Sequence, residues 1–295
     1  MAMLLGWTSS VGALPKIDGG RCASCDCRDE ARSPVVTRRF ALISSSSAAL
    51  LSSKFALAVS EDAKDSRIRE ALRKVVSKQK APGLLRLVFH DAGTFSASKG
   101  GGMNGSIIYE LERPENAGLE RSIKVLNKAR GELEGSLHVS WADLIAVAGS
   151  EAIVICGGPF IPVKLGRLDS SVADIQGELP SEDLNAVALK KIFQSKGFST
   201  QEMVALSGAH TLGSKGFGNP TVFDNSYYDV LLKMPWSDPD NKMASMIGLP
   251  SDRVLVSDKE CLPWIQVYKR DQSKFYTDFT LAYTKLVNLG AQWEG

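Results

Sequence analysis

Apolar residues in this chain recur at helical spacing between capping residues and glycines, and no convincing series of alternating apolar and polar runs accompanies them. Ile68, Leu72, Val75 and Val76 share one helix face before Pro82 intervenes, and Leu119, Ile123 and Leu126 repeat the pattern. Ser140 and Asp143 read as the capping-box start of the run Leu144 to Ile155, whose uniform apolarity predicts a helix buried on most sides. Ser181 precedes a stripe of Leu184, Ala188, Leu189 and Ile192 that stops at Gly197. Ser199 and Glu202 make a second capping box, ahead of a helix that leads towards His210. Phe275, Phe279, Ala282 and Leu286 mark a long closing helix ending near Gly290. The expected fold is therefore mainly α. A boundary in the Gly157 to Pro180 loop would divide it into two helical lobes, 59–165 and 166–295.

With 295 residues and 44% hydrophobic content, the chain can bury a large core. Lys and Arg total 35 against 33 for Asp and Glu. Seven basic and four acidic groups fall in residues 1–58, which leaves the remainder near neutrality. Nucleic acid is an unexpected partner for such a chain, because phosphate neutralisation needs clustered cations. Residues 1–58 differ from the rest: Arg38, Arg39, the run Ser44 to Ser47 and no acidic residue between Arg32 and Lys54. They read as a plastid targeting segment, removed or disordered, stromal by expectation, with a twin-arginine lumenal signal as the rival because Arg38-Arg39 precede an apolar stretch. Serines and Lys54 break that stretch, so no membrane span is expected and the mature protein should be soluble. Cys22, Cys25 and Cys27 lie in this segment and no second ligand pair follows them, which makes zinc a weak reading. Cys156 and Cys261 should be reduced thiols.

Chemistry concentrates in the segment Leu84 to Gly93. Pro82 is placed to open a helix on which Arg86, Phe89 and His90 share one face. A fixed cation, an aromatic wall and an imidazole suit a pocket that moves a proton and stabilises separating oxygens. The plainer alternative is structural, with Phe89 in the core, Arg86 paired to a carboxylate and His90 a satisfied histidine. His138 lies outside any motif and is expected at the surface.

From about Ala63 to Gly290 the chain resembles the class I haem peroxidases, the ascorbate peroxidase and cytochrome c peroxidase group, and within it the ascorbate peroxidase-related branch of plant chloroplasts. The distal motif is matched by Arg86-Leu-Val-Phe89-His90 and the proximal motif by Val204 to Gly213 around His210. The proximal acid is matched by Leu249-Pro250-Ser251-Asp252. Glu110 and Asn116 resemble the segment whose asparagine orients the distal histidine, and Gly166-Arg167-Leu168-Asp169 resembles a further signature. The resemblance implies a two-lobed helical fold with haem b between a distal and a proximal lobe. It implies His210 as iron ligand, Asp252 as its hydrogen-bond acceptor, and Phe89 and Ser207 as further cofactor-binding residues. Arg86, His90 and Asn116 would form the peroxide-cleaving set. The implied activity is reduction of hydrogen peroxide to water by a small organic donor, in an antioxidant role.

Departures from the family sharpen the expectation. Phe89 stands where class I members usually carry tryptophan. Between Gly213 and Asn219 the chain is short, and the segment that would hold the proximal tryptophan and the ascorbate-contacting arginine is absent. None of Trp7, Trp141, Trp236, Trp264 and Trp293 aligns with the missing indole. Lys215 is the only basic residue between His210 and Asn219 and cannot reproduce an arginine fork. Phenolic donors are therefore expected to outperform ascorbate. Thr211, Asn219 and Asp224 resemble part of a proximal cation site for a monovalent or divalent ion, with a turn-and-cap role as the equal alternative. A non-catalytic haem-binding or structural relative is the competing reading of the whole chain. A two-histidine metal hydrolase lacks a third ligand.

Overall fold

The computed structural model describes residues 61–236 and 246–294, so the leader and its three cysteines lie outside the described residues. Helix α1 covers 61–75 and places Ile68, Ala71 and Leu72 in the core, with Val76 buried just beyond its end. After a short turn, α2 (Ala81–Ala92) begins with Pro82 in its first turn, where a missing N–H costs nothing. Two 3-10 turns, Ser106–Tyr109 and Pro114–Asn116, interrupt the loop that leads to α3 (Glu120–Leu133). Helix α4 (Trp141–Ile155) is buried without a break from Ala142 to Ile153, as its composition predicts, and packs along α2. Beyond the long loop come α5 (Ala186–Ser195), α6 (Thr200–Ser207) and the 3-10 turn Gly208–Thr211, then α7 (Ser226–Lys233). The short α8 (Pro250–Arg253), α9 (Cys261–Arg270) and α10 (Gln272–Leu286) complete the order, and α6 packs on both α9 and α10. Among the described residues strand pairing is confined to two isolated bridges, and no helix is long and apolar enough to cross a membrane.

Two helix starts depart from expectation. Helix α5 is capped by Asn185, whose side chain accepts from the N–H of Ala188, so Ser181 and Leu184 lie in the preceding loop. Asn is as good a cap as Ser, and the four residues before it form a turn in which Ser181 and Glu182 line the cavity. At α4, Ser140 accepts the N–H of Asp143, but the return half of the box is missing. Arg167, fully buried, takes the Asp143 carboxylate instead at 2.9 Å, and the N–H of Gly166 also donates to it. Ser199 and Glu202 do form the full box.

Glycine matters where α6 ends. A Cβ on Gly208 would lie 2.4 Å from the Tyr228 hydroxyl and 2.5 Å from the Phe275 ring, so only glycine lets α7 and α10 close over that end. Cys156 and Cys261 are buried, free thiols, and His138 is exposed, as expected.

Candidate active site

Helix α2, α5, the α6 end with its 3-10 turn, and α8 enclose a cavity of about 540 Å³, within the roughly 300–1,000 Å³ usual for small-molecule and cofactor pockets. Both motif histidines line it. Its walls are largely apolar, with Leu85, Val88, Phe89, Leu189, Phe193 and Leu206 among them, and Arg86, Ser207, Lys215 and Asp252 supply polarity.

On the α2 side, His90 Nδ1 lies 2.7 Å from Asn116 Oδ1. The Asn116 amide nitrogen donates to the Glu110 carbonyl at 2.9 Å, so Oδ1 is the acceptor and His90 carries its proton on Nδ1. Nε2 is then the basic atom left to the cavity. Burial lowers the His90 pKa to about 4, opposed by the Asn116 hydrogen bond and assisted by the Arg86 charge. Arg86 is not paired to a carboxylate. Its guanidinium donates to the carbonyls of Glu115 at 2.6 Å and Ala117 at 2.9 Å, so it brackets Asn116 while its stem lines the cavity. Phe89 meets His90 edge-on at 6.2 Å and stacks on Phe193 of α5 at 6.3 Å.

The loop carrying Asn116 is fixed by two buried acids, Asp91 and Glu110, and by the half-buried Asp174. Asp91, next to His90, accepts from the N–H groups of Gly105 and Ile107. Asp174 accepts from Thr94, Gly102 and Asn104, and Glu110 from Ser106 and Arg113.

On the opposite chain segment, His210 Nδ1 lies 2.7 Å from Asp252 Oδ1. The same oxygen accepts from Tyr227 at 2.9 Å, and Oδ2 accepts from the Leu249 N–H at 2.8 Å. Burial by itself would lower the His210 pKa, but the Asp252 carboxylate overrides it and holds the imidazole above its usual value. Burial likewise pushes the Asp252 carboxyl up, and the His210 charge with these hydrogen bonds brings it below the ordinary range. Ser207 sits on the cavity wall with its hydroxyl donated to the Met203 carbonyl.

A family model described as peroxidase matches residues 65–271, more than half of the chain and all of the elements just described up to α9. The chain belongs to the peroxidase family. Within the family it is ascorbate peroxidase-like. It is 63% identical to the protein named "Putative L-ascorbate peroxidase 6" of Arabidopsis thaliana, over 77% of this chain and 69% of that one. It is 36% identical to "L-ascorbate peroxidase 5, peroxisomal" of the same plant, over 76% and 81%. It is 35% identical to a "Putative heme-binding peroxidase" of Cryptococcus neoformans, over 76% and 77%.

In this peroxidase the cation-site residues are only partly brought together. Thr211 donates to Asp224 at 3.0 Å, and Asp224 also accepts the N–H of Ser226 at the start of α7. Asn219 turns its side-chain oxygen to Thr221, which closes a local turn. Among the described residues no group of three or more His, Cys, Asp or Glu is placed to hold a metal ion. Tyr227 and Phe193 are site residues that motif reading does not reach. The Tyr227 ring meets His210 edge-on at 6.0 Å and Phe217, from the Gly213 to Asn219 stretch, at 4.6 Å. The signal available was the aromatic pair Tyr227-Tyr228 just downstream of the shortened segment.

Proposed function

We propose that this peroxidase binds one b-type haem through His210 and reduces hydrogen peroxide with His90 as the acid–base group. The observation that supports this reading is the matched arrangement of two imidazoles on one cavity. Each spends Nδ1 on an oxygen acceptor, Asn116 or Asp252, and leaves Nε2 for what the cavity holds. The residues fit haem: an apolar pocket of suitable size, and an imidazole whose other nitrogen is fixed by a carboxylate, the usual means of orienting a ligand histidine and raising its basicity. Haem would supply the iron at which the peroxide O–O bond breaks.

His90, neutral and fixed in one tautomer, takes a proton at Nε2 from one peroxide oxygen and returns it to the other. Arg86 has N–H donors beyond the two used on the loop carbonyls and stabilises the charge on the departing oxygen. Asp252 orients His210 and makes it electron-rich. A carrier without catalysis would have no use for the His90–Asn116 pair. The two lobes, 59–165 and 166–295, then contribute one histidine each.

The donor is inferred to be a small aromatic reductant, although relatives of this chain carry ascorbate in their names. An ascorbate anion needs a cationic hydrogen-bonding clamp, and the Gly213 to Asn219 stretch offers only Lys215. Phenols rely on stacking and burial. An antioxidant role in the plastid stroma, from the composition of residues 1–58, belongs to the same reading, and uptake of the full chain by isolated chloroplasts tests the address.

Haem titration of the purified protein is the test of binding. One equivalent should give a Soret band, and His210→Ala should lose the ligated spectrum. A His210→Ala spectrum identical to wild type would remove His210 as the ligand.

A further inference from the structure

Building on haem at His210, we propose that Trp264 is a second, surface oxidation site, joined to the cavity by Tyr227, Tyr228 and Tyr268. There the protein would oxidise phenolic donors too large to enter the cavity.

The four side chains form a continuous line of rings. From His210 the centroid separations are 6.0 Å to Tyr227, 5.0 Å on to Tyr228, 5.2 Å to Tyr268 and 6.2 Å to Trp264, whose indole stacks on Tyr268 at 30°. Tyr227, Tyr228 and Tyr268 are fully buried. Trp264 is half-buried on α9, with exposed Pro263, Gln266 and Val267 as its sequence neighbours. Electron tunnelling falls exponentially with the gap, so a line of near-contact rings replaces one slow long step by several fast short ones.

Tyrosine and tryptophan are the side chains that yield one electron to a strong oxidant most readily, and phenylalanine does not. Phe217, Phe223, Phe275 and Phe279 fill the same core without any polar group. Packing alone would be served by more of them, because every buried phenol hydroxyl must be given a partner. Here the partners are informative. Tyr227 donates to Asp252 Oδ1 at 2.9 Å, and Tyr268 to Asp278 Oδ2 at 2.8 Å. The Asp278 carboxylate can take the phenolic proton when Tyr268 is oxidised and give it back on reduction. Tyr228 faces only the Val204 and Ala205 carbonyls, which cannot hold a full proton, so it bridges the other two.

The electron count closes. Reduction of one peroxide to two waters takes two electrons and two protons, so haem held at His210 would need two one-electron refills. Tyr268 supplies one electron inward across Tyr228 and Tyr227, and its proton rests on Asp278. Trp264 refills Tyr268, which takes its proton back. The external phenol reduces Trp264 and releases its own proton to solvent. A second donor molecule restores the other electron.

The test uses the haem-loaded protein with peroxide, a nitroso spin trap and no donor, followed by residue-level mass spectrometry. The trap should mark Trp264, and the adduct should vanish in Trp264→Phe and weaken in Tyr268→Phe. With phenol coupled to dextran as the large donor, Trp264→Phe should lose most of the wild-type rate, Trp264→Tyr should regain part of it, and turnover of free phenol should stay. Circular dichroism and the Soret band establish that each variant is folded and loaded. No adduct at Trp264, or dextran-phenol oxidised by Trp264→Phe at the wild-type rate, overturns the relay while leaving the haem reading intact. A missing Soret band, or one that peroxide does not change, overturns both.

Discussion

The two histidines are opposite answers to the same burial. Desolvation lowers both, and the partner on Nδ1 decides the outcome: a neutral amide leaves His90 titrating at about 4, whereas a carboxylate raises His210. His90 must be neutral to accept a proton, so the rate of reaction with peroxide should be flat from neutrality into mildly acidic solution and fall as the pH drops through about 4. A stopped-flow pH series checks this, and a fall centred near the free-histidine value of about 6.5 would show that His90 is not held as described. The stability contribution has the same sign. A histidine whose folded pKa is depressed makes the protein less stable as pH falls from its unfolded value towards its folded one. Arg86→Ala should slow peroxide cleavage less than His90→Ala, because it removes charge stabilisation and one tether of Asn116 but keeps the base. Asn116→Ala should fall between wild type and His90→Ala, since the base remains but its tautomer is no longer fixed.

Elements position these residues through loops as much as helices. The stretch from Gly100 to Asn116 is held by Asp174, which accepts three donors across the chain. Asp174→Ala removes the acceptor shared by Thr94, Gly102 and Asn104, at about 0.5–1.5 kcal/mol for each hydrogen bond not remade, and should lower the urea midpoint and loosen the His90–Asn116 pair. A variant with an unchanged midpoint would show that the loop is held by other contacts. Reading from the sequence succeeded where local chemistry decides. The Ser199–Glu202 box, Pro82 at the start of α2 and the continuous burial of α4 need only neighbours within a turn or two. His90, Asn116, His210 and Asp252 were legible as motif residues, and the structure joins them in the expected pairs. What distance decides was not legible. Asp143 spans the chain to Arg167, and Arg86 found backbone carbonyls on a loop that its own helix does not reveal. Tyr227 meets Asp252 from 25 residues away.

At the scale of the molecule, the cavity separates peroxide chemistry from donor chemistry. Under the proposed function, His90 and Arg86 would act on peroxide in this largely apolar cavity, and Lys215 is the basic residue that the Gly213 to Asn219 stretch adds to its wall. At matched concentrations a phenol should show the higher kcat/KM, and a clear advantage for ascorbate would mean that its clamp is built from other residues. The most direct test of the whole account is stopped-flow absorption of the haem-loaded protein mixed with hydrogen peroxide and followed at the Soret band. Wild type should change rapidly, and His90→Ala, with equal haem content, should be slower by about 10²–10⁴-fold, the usual worth of a general acid–base group. A wild-type spectrum that peroxide leaves unaltered, or a His90→Ala rate equal to wild type, would contradict it.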